Sequence, residues 1–223
     1  MVRGGEKIMT DVASFNGQCK GEEIANAVTH GVGAALAAAG TIVMLVFAAE
    51  KSDLVRIVSV SIYGFSMIFL YMMSTLYHAI TNYKAKRIFQ KLDHCSIFVL
   101  IVGSYAPVCL SLLGGTLGWT LFAVNVFCGV AGIVANAISV NKWHKISLVL
   151  YLVMGWSVVI AIKPLLQMIA LDGFALLLAG GLLYSIGVIF YKMKKRRFMH
   201  SVWHLFVLGG STFLYFFMLF HVV

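Results

Sequence analysis

Seven mostly apolar stretches, each of about twenty residues or more, follow one another along this chain, at approximately 26–49, 54–80, 93–113, 117–140, 145–163, 173–191 and 201–222. An α-helix rises 1.5 Å per residue, so about 20 apolar residues cross the ~30 Å hydrocarbon core of a bilayer. No water is available there to satisfy backbone N–H and C=O groups, which restricts a spanning chain to helices or a closed barrel. These runs are continuously apolar, whereas barrel strands alternate over about ten residues. The expected fold is therefore an all-α integral membrane protein with seven transmembrane helices. Hydrophobic residues make up 61% of the chain and charged residues 11%, which excludes an ordinary soluble domain. The connections are short and carry no Pro/Ser-rich linker, so one transmembrane domain is expected over 26–223, preceded by a cytoplasmic N-terminal segment, 1–25. The stretch from Met1 to Glu23 has neither an apolar core nor a small-residue cleavage pattern and does not read as a signal peptide. Glu22 to Asn26 reads as a short interfacial helix start.

Charge orients the spans. With the N-terminus inside, the inside segments hold Arg3, Lys7 and Lys20, then Lys84, Lys86, Arg87 and Lys91, then Lys142 and Lys145, and finally Lys192, Lys194, Lys195, Arg196 and Arg197. These are 14 of the 17 basic residues, leaving Lys51, Arg56 and Lys163 outside. The positive-inside rule then places the N-terminus in the cytoplasm and the C-terminus outside. The net charge of +9 follows from this asymmetry. The run Lys192 to Arg197, between two spans, reads as a topological anchor and not as a nucleic-acid site. Cys19, Cys95, Cys109 and Cys128 lack the close paired spacing of a cysteine-rich metal site or a secreted disulfide scaffold.

Orientation also sorts the polar residues. His200 and His204, four apart at the head of the last span, share one helix face, with β-carbons about 5–6 Å apart. Ionisable groups at membrane depth are expensive and usually functional, and this pair has metal-binding spacing. The second span ends inside at His78, with Ser74 one turn earlier on the same face. The third opens inside at Asp93. Ser74, His78, Asp93, His200 and His204 therefore converge in the cytoplasmic leaflet. A helix N-terminal carboxylate favoured by the macrodipole is the plainer role for Asp93, and an interhelical hydrogen bond the plainer role for Ser74. His94 points about 100° away from Asp93, which suits a structural or outer role. His30 reads as capping or packing, and His144 and His221 as interfacial. Trp119, Trp143 and Trp203 suit an aromatic belt, and Ala35/Ala39 and Ala131/Ala135 suit helix packing. Pro107 is expected to kink the third span and Pro164 to end the fifth.

Taken together, Glu22-Glu23…Asn26…Thr29-His30-Gly31, Ser74-Thr75-Leu76-Tyr77-His78, Asp93-His94…Gly103-Ser104-Tyr105-Ala106-Pro107 and His200-Ser201-Val202-Trp203-His204 resemble the hemolysin III proteins. These are the bacterial branch of the progestin and adipoQ receptor family, which is similar to a wider set of membrane hydrolases that includes alkaline ceramidases. Ser104 and Ala106 depart from the family's usual threonines before the proline. The resemblance implies seven helices in a bacterial cytoplasmic membrane, with one Zn2+ held by His78, His200 and His204 and with Ser74 and Asp93 beside it.

Three protein ligands and one open position are the pattern of a catalytic zinc, which lowers the pKa of water in the fourth position to about 7. Asp93 could then take a proton and Ser74 could donate a hydrogen bond to a developing oxyanion. A site at that depth meets the amide or ester linkage of a membrane lipid, the expected substrate or ligand. Three function classes stay open: a zinc-dependent lipid hydrolase that influences membrane lipid composition, a non-enzymatic membrane-state regulator or receptor with structural zinc, and a hemolysin-like lytic protein. The hydrolase is preferred. A lytic pore lacks a line of charges across the spans, and a retinal pump lacks a Schiff-base lysine between Ser201 and Val223.

Overall fold

The computed structural model describes residues 17–193 and 195–223, so Arg3, Lys7, Lys194 and most of the 1–25 segment lie outside the described residues. The described chain is helical, with no strand among those residues. Helix α1 spans Lys20–Glu50, α2 Leu54–Ala79 and α3 Tyr83–Ala106, which runs on as a π-helical stretch, Pro107–Leu113. Helix α4 spans Gly115–Trp156 and leads through a 3-10 stretch, Ser157–Ala161, into α5, Ile162–Met168; α6 covers Leu171–Lys192 and α7 Met199–His221. Six helical runs are long and apolar enough to cross a membrane: α1, α2, Tyr83–Leu113, Gly115–Met168, α6 and α7.

The starts of α1, α2 and α3 are written locally. Glu22 Oε2 accepts from Cys19 N at 2.8 Å at the head of α1. Asp53 accepts from Val55 N and Arg56 N at the head of α2. Asn82 accepts from Ala85 N at the head of α3. Each of these groups satisfies a backbone donor that the first helical turn leaves without a partner.

The 54-residue run Gly115–Met168 would be about 80 Å long if straight. It is not straight. Ser139 is extended (φ −158°, ψ 106°), and its Oγ accepts from Lys142 N at 3.4 Å, capping the helix that resumes. The two limbs fold back on each other. Asn125 Nδ2 donates to Ser157 Oγ at 3.0 Å, and Asn136 bonds both Ser147 and Tyr151. Residues 125 and 157 would stand about 48 Å apart on a continuous helix. The fourth and fifth apolar segments of the sequence are thus antiparallel limbs reversing at one serine, with no intervening loop.

Neighbouring helices close a ring: α1 packs on α2 and α7, α2 on α3, α3 on α4, α6 on α7, and α4 on α6. Polarity is inverted relative to a soluble protein. Asn26, His30, Ser74, Asp93, Asn125 and Asn136 are buried, while Val28, Phe65, Phe127, Ile138, Ile160 and Leu205 are exposed. Such a surface fits hydrocarbon, and the chain is a multi-pass membrane protein.

Several local expectations change. Pro107 initiates the π-helical stretch, which ends at Gly114 (φ +58°). Pro164 lies in the first turn of α5, where its missing N–H costs nothing, and the helix continues past it. Ala35, Ala39 and Ala131 are exposed; close helix approach falls instead on Gly33, Gly64, Gly103 and Gly132. Asp93 does not open a helix. Helix α3 begins ten residues earlier, at Tyr83, which removes the N-terminal macrodipole as the account of that carboxylate.

Candidate metal centre

Two helix ends bring three imidazoles together. Helix α7 starts after Phe198, held at φ +60°, so His200 and His204 occupy its first two turns. Helix α2 delivers His78 in its last turn. The potential ligand atoms of His78, His200 and His204 all lie within 4.8 Å of one another, close enough to hold a metal ion. Around a tetrahedral zinc, nitrogens about 2.0–2.1 Å from the metal stand roughly 3.4 Å apart, so ligation would ask the rings, within 4.8 Å of one another, to close by up to about 1.4 Å. The donor chemistry fits. His78 Nε2 and His204 Nε2 are buried without a hydrogen-bond partner, and buried polar atoms are rarely left that way.

The surroundings of the cluster come largely from α1. Glu23 Oε2 lies 2.7 Å from His78 Nδ1 and 3.1 Å from Lys86 Nζ. Lys86, buried on α3, also donates to the carbonyls of Tyr77 and Ile80 at 3.0 and 3.3 Å, closing the C-terminus of α2. Asn26 Oδ1 accepts from Ser201 Oγ at 2.6 Å, and its Nδ2 lies 3.4 Å from His78 Nδ1. His30 stacks on His204, with centroids 3.6 Å apart and planes 11° apart, and meets Tyr71 edge-on. Glu22 Oε1 accepts from Phe198 N at 2.7 Å, tying the start of α1 to the turn before α7.

Ser74 is buried one turn before His78, and its Oγ has no partner. Asp93 is 4% exposed, with His94 Nδ1 3.6 Å from its carboxylate. It stands outside the group of mutually close donors. With His30, Tyr191 and Trp203 it lines a cavity of about 370 Å³, whose other walls are mainly apolar side chains including Leu100, Val108, Leu177 and Met218. That volume lies in the range of small-molecule pockets. The Trp203 ring packs among His200, His204 and Tyr191. His94 holds the Gln90 carbonyl at 2.9 Å, and His144 meets the Tyr191 hydroxyl at 3.0 Å.

The structure thus gathers all three expected imidazoles; Ser74 is buried one turn before His78, and Asp93 lines the cavity with His30 and Trp203, neither being among the close donors. Sequence reasoning missed the roles of Glu23, Asn26 and Lys86. Spacings of three and four among Glu23, Asn26 and His30, the signature of one helix face, were the available signal. Lys86 was read only as an inside charge.

A family model described as Haemolysin-III related matches residues 19–215. Hemolysin-3 of Bacillus cereus is 43% identical over 215 residues, covering 96% of this chain and 98% of the relative. A Hemolysin-3 homolog of Bacillus subtilis (strain 168) is 46% identical over 202 residues, covering 91% and 95%. The human protein named monocyte to macrophage differentiation factor is 27% identical over 224 residues, covering 95% and 90%.

Proposed function

Because this chain belongs to the haemolysin III-related family, we propose that it is a zinc-dependent hydrolase of a lipid amide or ester bond, acting on membrane lipid composition from seven spans of a bacterial cytoplasmic membrane. The observation that carries this reading is a junction. Three imidazoles can hold a metal, and His30, stacked on one of them, lines an apolar cavity together with the buried Asp93.

Each residue then has a task. His78, His200 and His204 would hold the ion, which would supply Lewis acidity and activate a water near neutral pH. Asp93, outside the ligand group, takes and returns a proton. Ser74, its hydroxyl buried and unpartnered, donates a hydrogen bond to the oxyanion that forms when water adds to the acyl carbonyl. The apolar cavity walls receive an acyl chain, and a lipid in the cytoplasmic leaflet presents its linkage at this depth. Seven crossings are supported by the reversal at Ser139, which divides Gly115–Met168 into two lengths each able to cross.

The name of the Bacillus cereus relative points to a second reading, a lytic protein. A pore needs a polar path through the bilayer, whereas the cavity inside the helix ring is walled mainly by apolar side chains. A regulator with structural zinc differs from the hydrolase in needing Asp93 for no turnover.

The deciding experiment measures fatty-acid release from ceramide, lysolipid and phospholipid in bilayers containing the purified protein. Wild type with zinc should cleave at least one of them, and Asp93→Asn should keep zinc at wild-type stoichiometry yet lose about a hundredfold in rate, the scale of general-base removal. Zinc-loaded wild type that releases no fatty acid from any of the three would end the hydrolase reading and leave the regulator.

A further inference from the structure

Helix α1 contributes none of the three imidazoles, yet its buried face touches the surroundings of each. Glu23 meets His78, Asn26 holds Ser201 next to His200, and His30 lies flat on His204. The contact with the greatest chemical consequence is at His78 Nδ1, which two groups approach at once: Glu23 Oε2 at 2.7 Å and Asn26 Nδ2 at 3.4 Å.

These two neighbours demand opposite tautomers. An ionised carboxylate only accepts, so Glu23 requires a proton on Nδ1, whereas an amide NH2 only donates, so Asn26 requires that nitrogen bare. Distance decides between them. A separation of 2.7 Å is that of a charge-assisted hydrogen bond, while 3.4 Å lies beyond the usual range for nitrogen donors. Asn26 Nδ2 also has another acceptor, Gln18 Oε1, at 3.0 Å. Of the two neutral tautomers the shorter contact selects the one with its proton on Nδ1, and the lone pair left to a metal is then on Nε2, the atom buried with no partner. Had Asn26 prevailed, Nε2 would carry hydrogen and could not ligate.

Resting on the zinc reading above, we infer that Glu23 is a positioning residue of the metal centre: it fixes His78 in the Nδ1–H tautomer and thereby makes Nε2 the ligand. Lys86 keeps the carboxylate in place. Its ammonium is anchored to the Tyr77 and Ile80 carbonyls, so Glu23 is registered against the same helix end that carries His78. A carboxylate behind a ligating imidazole orients the ring and raises its basicity, and losing such a partner typically lowers metal affinity 10- to 100-fold.

The test uses the purified full-length chain and compares wild type, Glu23→Gln, Glu23→Ala and Lys86→Gln. Zinc affinity is read by competition with a chelator, ligand geometry by the visible spectrum of the cobalt-loaded protein, and folding by the thermal midpoint of the metal-free protein. Glu23→Ala should weaken zinc binding by about 10- to 100-fold and shift the cobalt spectrum. Glu23→Gln, which still offers an oxygen acceptor, should fall between Glu23→Ala and wild type. Lys86→Gln removes the anchor but leaves the carboxylate itself, so it should lower the thermal midpoint while changing zinc affinity less than Glu23→Ala does. Wild-type affinity and an unchanged cobalt spectrum in both Glu23 variants would overturn the assignment. So would nitrogen NMR of the zinc-free wild type that finds the His78 proton on Nε2, a result that depends on no variant folding. Wild type that takes up neither zinc nor cobalt would overturn the metal reading itself, and this inference with it.

Discussion

His204 is fully buried, carries a second imidazole stacked on its face, and has its Nε2 without a hydrogen-bond partner. A buried polar atom left unsatisfied costs about 1–3 kcal/mol, and here that situation recurs at His78 Nε2, next to the same cluster. A chain that needed these positions only for packing would do better with leucine or phenylalanine. A bound cation would remove the penalty at His78 Nε2 and at one nitrogen of His204 together, which is the physical argument for metal binding at the scale of single residues. Purified protein should therefore carry about one zinc per chain by elemental analysis, the content expected of one three-histidine site. His78→Ala combined with His204→Ala should abolish it. Chelation of wild type should lower the thermal midpoint, because a ligand that binds only the native state stabilises it. Unchanged zinc content in the double variant would remove these histidines from the ligand set.

The helices are held at distances that depend on small residues at particular crossings. Gly64 on α2 faces Thr41 on α1, and a β-carbon there would overlap the threonine side chain, its own β-carbon included. Thr41 cannot swing away freely. It is β-branched, and its hydroxyl donates to the Ala37 carbonyl at 2.6 Å. The backbones would have to separate, and this is the pair of helices whose ends carry Glu23 and His78. Gly64→Ala should therefore destabilise the protein by about 1–3 kcal/mol, the usual range for overpacking, read as a lowered unfolding midpoint in detergent. Gly155→Ala is the matched control. Its β-carbon would meet nothing within 4 Å, and alanine is favoured over glycine in a helix by about 1 kcal/mol, so its midpoint should hold or rise. Equal behaviour of the two variants would contradict the close approach of α1 and α2.

Across the whole molecule, the cytoplasmic assignment rests on which helix ends meet. Glu22 bonds Phe198 N, Glu23 pairs with Lys86, and Lys91 Nζ donates to the Ala137 carbonyl at 2.6 Å. The start of α1, the start of α3, the reversal at Ser139 and the turn before α7 thus lie at one end, and the described basic residues Lys84, Arg87, Lys142, Lys145 and Lys195 to Arg197 are near those points in sequence. At the opposite end Asp172, opening α6, lies 3.6 Å from His221, closing α7. If positive charge marks the cytoplasm, a single cysteine at Thr116, in a background with the four native cysteines replaced by alanine, should react with a membrane-impermeant reagent added outside intact cells. One at Lys195 should react only after permeabilisation. The opposite pattern would invert the orientation and move the candidate site to the outer leaflet.

Long-range hydropathy and the spacing of histidines were legible in the linear chain, because both are periodic properties that need no partner to be read. Apolar run length dictated helices that suit a bilayer, and the four-residue step from His200 to His204 placed two imidazoles on one face before any packing was known. Alternation of basic loops brought His78 to the same depth. Tertiary structure alone decided the rest. Asp93 looked like a helix start because hydropathy rises there, but Asn82 caps α3 eleven residues earlier, and a cap is a local hydrogen bond that hydropathy does not register. The chain reverses at Ser139 because one extended residue and its hydroxyl suffice to end one helix and cap the next. Glu23 and Lys86 carry ordinary charges in sequence, and only the meeting of α1, α2 and α3 puts both on the far side of His78. Such long-range contacts among residues of unremarkable type leave no periodic trace, which is why the clustered histidines could be read from the chain and the groups packed around them could not.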